Sequence, residues 1–147
     1  MPGVPPVLTA ALARATGEDA FSQEQRAAAM IAYLRSVVLA PPAQVERGHA
    51  IFLDARSAWL GDAPCGIGTM TTLSLRMRAL LGEALRHDAA GIILAHSHPS
   101  GHCRPSGCDI AATRRLAEVA RALDIALIDH LIFTTEAVYS MRAGGLL

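Results

Sequence analysis

Residues 90–95 read Ala-Gly-Ile-Ile-Leu-Ala, a continuous apolar run that ends against His-Ser-His-Pro-Ser-Gly. Six residues are too few to cross a membrane, and a short apolar run bounded by polar turn residues is how a strand buried on both faces looks. A strand with no solvent face needs a layer on each side, so the run predicts a sheet sandwiched between helices.

The rest of the chain supplies those helices. Ser22 followed by Gln25 is a capping-box signature, and Ala28, Ile31, Leu34, Val37 and Val38 recur at helical spacing until Pro41 and Pro42 stop the helix. His49 to Asp54 suits a strand, with Trp59 to Gly66 as its hairpin partner, and Gly66, Gly68 and Thr69 mark a turn. Leu73 to His87 carries apolar residues at 73, 77, 80, 81, 84 and 85, one helical face. Ser106 to Leu123 is predicted as a further helix, and Ile125 to Thr134 and Ala137 to Met141 as strands. The predicted class is α/β, with three layers in which helices flank a mixed sheet.

The length of 147 residues fits one domain. Residues 1–21, rich in Pro, Gly and Ala, are expected to form a flexible arm with at most a short helix near Leu8 to Ala15, and residues 22–147 the domain. With 52% hydrophobic residues but only 4% aromatic, the core must be aliphatic. Thirteen acidic residues balance thirteen basic ones, so net charge does not favour nucleic acid. Arg76, Arg78, Arg114, Arg115 and Arg121 on two predicted helices are expected to be solvated. No signal-like start or membrane span is evident, and a cytoplasmic location is the default expectation. Cys65, Cys103 and Cys108 are too few and too irregular for a disulfide framework and are read as reduced thiols.

Chemistry concentrates between His96 and Asp109. Alternate residues on an extended strand project to one side, so His96 and His98 can reach one ion. If Ser106 caps the next helix, Asp109 falls at the third position of its first turn, where the helix dipole favours an anion. Two imidazoles and one carboxylate leave a fourth position open, as catalytic zinc sites do and structural ones do not. Zinc there lowers the pKa of water toward about 7, and Glu46, just ahead of the first strand, is placed to take the proton if that strand lies beside residues 90–95. Ser106 is also a candidate donor to an oxyanion, a role expected to compete with capping for one hydroxyl.

In these residues the chain resembles the JAMM (MPN+) metalloproteases, whose pattern is an upstream Glu, H-x-H-P, then Ser and Asp at fixed spacing. Glu46, His96, His98, Ser106 and Asp109 take those five positions. It is more closely similar to the RadC family, through "LAHSHPSG", "PSGCDI", the Gly68-Thr69 step, "IALIDHLIF" and "YSMRAGGLL" in matching order from about Val45 onward. The resemblance implies a cytidine-deaminase-like JAB/MPN architecture, one zinc ion held by His96, His98 and Asp109, and hydrolysis of a peptide or isopeptide bond with Glu46 and Ser106 as the catalytic pair. A peptide or protein substrate follows from it, while the terminal strands are expected to leave an edge suited to β-addition of an extended peptide or to a homodimer. Where RadC-like chains read HNHPSG this one has Ser97, and where they tend to have Pro-Arg-Glu it has Met77, Arg78 and Ala79. The family's upstream helix-hairpin-helix region is not found among these residues, so DNA binding is not carried over with the rest.

Two other readings compete with hydrolysis. The chain can be a binding module, in a DNA-repair or mobile-element setting, with an idle metal site. Base deamination needs H-x-E with a downstream P-C-x-x-C, and neither is present. His102, Cys103 and Cys108 are expected as solvent-facing loop residues, and Asp129 with His130 as a hydrogen-bonded structural pair on a strand.

Overall fold

The apolar run forms the central strand of a five-stranded sheet. The computed structural model describes residues 20–67 and 73–147. Residues 1–19 of the arm, its expected short helix and the Gly68-Thr69 turn lie outside the described residues, while Ala20 and Phe21 belong to the first helix. In chain order the elements are α1 (Ala20–Val38), β1 (Arg47–Leu53), β2 (Trp59–Ile67), α2 (Leu73–Arg86), β3 (Gly91–Ser97), α3 (Gly107–Ala122), β4 (Ala126–Phe133) and β5 (Val138–Ser140). The strands lie in the order β2-β1-β3-β4-β5. β1 runs antiparallel to β2 and β3, β3 and β4 are parallel, and β5 returns antiparallel to β4.

All seven residues of β3 are buried, as a strand covered on both faces requires. Its alternation divides the core. Ile92 and Leu94 face Met77, Leu80, Leu81 and Ala84 of α2 and Ala112, Leu116 and Ala120 of α3. Ile93 and Ala95 face Ala27, Met30, Leu34 and Val38 of α1. The result is a three-layer α/β fold of a mixed sheet with one helix on one face and two on the other. Full burial of a side chain such as Leu116 stabilises each layer by about 1.5 to 3 kcal/mol.

Two details of α1 differ from expectation. The helix begins at Ala20, so Ser22 lies within the first turn and not at its cap. Its buried stripe is Ala27, Met30, Leu34 and Val38, while Ala28 is exposed. Both stripes are helical in period, and the sheet selects the one whose longer residues reach Ile51, Leu53 and Phe133.

One irregularity matters for the site. Between Ile92 and Ile93 the partner in β4 advances from Leu127 to Asp129, so Ile128 is an extra residue in that strand. Leu127 faces the α2 and α3 layer, whereas Ile128, Leu131 and Phe133 pack on the α1 side. The bulge therefore inverts the strand's alternation and turns His130 toward α3.

Candidate metal centre

His96 lies on the face of β3 that carries Ile92 and Leu94, so its ring leaves the sheet toward the start of α3. His98 stands two residues on, just past the strand end, with its backbone N–H donating to the Phe133 carbonyl at 2.9 Å. Ser106 caps α3 and Asp109 occupies the third position of its first turn, as the sequence predicts. Both halves of the capping box form: Asp109 N–H donates to Ser106 Oγ at 3.0 Å, and Ser106 N–H donates to Asp109 Oδ2 at 2.7 Å.

These elements bring His96, His98 and Asp109 together as a group that can hold a metal ion. His96 Nε2 lies 2.8 Å from His98 Nε2, and Asp109 oxygens lie 3.7 Å and 3.2 Å from the two rings respectively. Ligands bound tetrahedrally at about 2.1 Å stand about 3.4 Å apart, so the three separations bracket that value. His98 Nδ1 lies 2.8 Å from the His102 carbonyl, which can only accept, so the ring donates there and leaves its Nε2 lone pair for an ion. The residues present fit a metal.

The electrostatics suit a cation. Burial pushes the Asp109 carboxyl up, but the contacts from His96, His98 and the Ser106 backbone N–H outweigh it and hold the group far below the usual carboxylate range. His98 is raised, first by Asp109 and against the opposing effect of burial, with smaller contributions from the His102 carbonyl and the charges of Asp109 and Glu46. His130, wholly buried, is driven well below the ordinary histidine value, mainly by desolvation and then by the charge of His96.

Glu46 precedes β1, which does lie beside β3, with Gly48 opposite His96. Glu46 stands one residue ahead of β1. Its charge acts on His98, and it is half-buried. Ser106 is exposed, and its cap uses an oxygen lone pair. The expected competition for its hydroxyl does not arise, because the hydrogen remains for a second partner.

His102 and Cys108 are exposed and Cys103 half-buried, and all three cysteines are free. Cys65 is buried beneath Gly48, and burial pushes its thiol up to about 12. Arg76, Arg78, Arg114, Arg115 and Arg121 are exposed. Asp129 and His130 do form a bond, but through the His130 backbone N–H to Asp129 Oδ1 at 2.7 Å. Their side chains part: Asp129 accepts from Ser140 Oγ and from the Arg142 backbone N–H, while the His130 ring reaches His96.

Three residues beside the site were not legible as such. His130 Nε2 lies 2.6 Å from His96 Nδ1, Thr113 Oγ1 lies 2.7 Å from His130 Nδ1, and the buried Ser97 hydroxyl accepts the Arg47 backbone N–H at 3.0 Å. Thr113 carried one signal, its place four residues after Asp109 on the same helix face.

Among described residues no helix is long and apolar enough to cross a membrane. The family model for the RadC-like JAB domain matches residues 23–146. A UPF0758 protein of Bordetella bronchiseptica is 42% identical over 102 residues, covering 69% of this chain and 45% of its own. A UPF0758 protein of Cupriavidus pinatubonensis is 38% identical over 118 residues, covering 80% of this chain and 51% of its own. The chain thus spans about half the length of these curated relatives. With the domain match running through both histidines and the aspartate, the chain belongs to the family of RadC-like JAB domains.

Proposed function

We propose that this domain is a zinc-dependent hydrolase of the JAMM type, cleaving a peptide or isopeptide bond. The observation that supports it most is the convergence of His96, His98 and Asp109 on one point, with the charge of Glu46 acting on His98. Three protein ligands from this set would hold the ion. A zinc ion so held supplies Lewis acidity, lowering the pKa of water toward about 7 and polarising a substrate carbonyl.

The chain's own groups do the rest. Asp109 keeps its charge because the Ser106 backbone N–H, donating to Oδ2, stabilises the carboxylate. Glu46 takes the proton of the attacking water and delivers it to the departing nitrogen, a general acid and base role that contributes about 10² to 10⁴ in rate. Ser106, fixed by its cap, donates its remaining hydrogen to the substrate oxygen as negative charge builds there.

Metal analysis of the purified 147-residue chain, joined to a peptide-library cleavage screen, tests this reading. The expected result is about one zinc per chain and hydrolysis that Glu46→Gln lowers at least about 10²-fold while fold and zinc content persist. A folded wild type that takes up no zinc would overturn the proposal. A zinc-loaded wild type that cleaves nothing, and whose behaviour Glu46→Gln leaves unchanged, would favour a binding module with an idle site.

A further inference from the structure

The Asp129-His130 step has no part in the reaction as derived, yet His130 is fully buried against His96. We propose that Thr113 and His130 are positioning residues that lock His96 in the tautomer carrying its proton on Nδ1, so that the Nε2 lone pair is held ready for the metal. The inference rests on the reading of His96 as a metal ligand.

It follows from counting hydrogens along one buried chain. Thr113 Oγ1 lies 2.6 Å from the Asp109 carbonyl, and a carbonyl only accepts, so the single hydroxyl hydrogen of Thr113 points there. Toward His130 Nδ1, at 2.7 Å, the same hydroxyl is therefore the acceptor, and His130 must carry its proton on Nδ1. One hydrogen then lies between His130 Nε2 and His96 Nδ1, which are 2.6 Å apart. If His130 supplied it, the ring would be a cation with no exposure and no carboxylate bonded to either nitrogen, since Asp129 spends its oxygens on Ser140 and on the backbone N–H groups of His130 and Arg142. Burying such an unpaired charge costs far more than moving the hydrogen to the other ring. His96 Nδ1 is thus the donor, and its Nε2 faces His98 and Asp109 with the lone pair free.

The device ties two ligands together. Thr113 sits one helical turn after Asp109 and binds that residue's own carbonyl, so the chain of bonds begins at one ligand's backbone and ends at the other ligand's ring. The Ile128 bulge is what makes it possible, because strict alternation from Leu127 would send His130 to the opposite face of the sheet. His98 achieves the same polarity with the His102 backbone carbonyl and needs no side chain. Groups that orient metal-binding imidazoles in this way typically govern metal affinity by about 10- to 100-fold.

The test uses the full chain, first metal-free. Nitrogen-15 NMR at pH 8 should find His96 and His130 both protonated on Nδ1, whereas a His96 ring protonated on Nε2 would overturn the assignment. Zinc affinity, measured by competition with a chromogenic chelator, should fall about 10- to 100-fold in His130→Leu, which cannot accept from His96. His130→Gln, whose side-chain carbonyl can accept from His96 Nδ1 while its amide donates to Thr113, should stay within about threefold of wild type. Equal loss in both would reduce His130 to packing and overturn the proposal. Should His130→Leu fail to fold, Thr113→Val against Thr113→Ser asks the same question with a smaller change: Val should weaken zinc binding and Ser should restore it, and equal affinities would count against the relay. A wild type with the expected tautomers but no zinc affinity would sink the hydrolase reading while supporting the hydrogen-bond assignment.

Discussion

The backbone N–H of Arg47 donates to the hydroxyl oxygen of Ser97 at 3.0 Å, joining the start of β1 to the end of β3 between His96 and His98. Ser97 points away from His96, and its hydroxyl pins the start of β1 where Glu46 leaves the sheet. The residue between the two histidines is therefore not a spacer. It ties the residue after Glu46 to the end of β3.

Ser97→Ala should accordingly cost about 1 kcal/mol of stability, for an N–H left partly buried without its partner. Urea denaturation measures this. Zinc content should be unchanged, because both imidazoles keep their bonds to His130 and to the His102 carbonyl. Hydrolysis should fall more than stability explains, as Glu46 loses its anchor. Wild-type turnover in a folded Ser97→Ala protein would show that Glu46 is positioned by something else.

Gly48 pairs with His96 across β1 and β3 and leaves room for Cys65 of β2. A Cβ built there would lie 2.9 Å from Cys65 Sγ, closer than real contacts allow. Gly48→Ala should destabilise by about 1 to 3 kcal/mol through overpacking. In the double variant with Cys65→Ala the sulfur is gone, so the loss should be smaller than the sum of the two single losses. Simple additivity in a thermal or urea double-mutant cycle would mean that the clash relaxes elsewhere. The buried thiol, pushed up to about 12, should also resist alkylation in the native protein while Cys108 reacts.

What sequence could and could not convey depends on separation along the chain. His96, His98, Ser106 and Asp109 sit within one strand-loop-helix segment, and strand alternation with capping rules suffices to aim them. Glu46 needed one long-range fact, the pairing of β1 with β3, which the sequence posed only as a condition. His130 and Ser97 were out of reach for a further reason. Their partners lie 34 and 50 residues away, and the His130 contact depends on a bulge at Ile128 whose extra residue leaves no trace in the Leu and Ile pattern of a buried strand. The expected α1 stripe holds at Leu34 and Val38, with Ile31 packed beside them, and departs at Ala27 and Met30, since an Ala-rich helix offers two apolar rows and only the sheet chooses between them.

Acid should release the metal through His98, and the direction follows from its neighbours. Its pKa in the metal-free protein is raised above 6.5, first by Asp109, while Asp109 itself is held far below 3.8. A raised imidazole contributes stability that is fully present below its unfolded value and lost as pH rises through the folded one. A lowered carboxylate contributes stability present above its unfolded value and lost as pH falls through the folded one, so Asp109 stays charged through the range where His98 titrates. Metal binding must displace the His98 proton, so affinity should begin to fall while pH is still above 6.5, by about tenfold per unit once His98 is protonated. Asp109→Asn removes the main cause of the raised value. Zinc affinity at pH 8 should drop in that variant, and the onset of proton competition should move to lower pH. Competition titrations at pH 8, 7 and 6 on both proteins decide the matter, and an onset unmoved by Asp109→Asn would mean that the His98 proton is held by something other than Asp109.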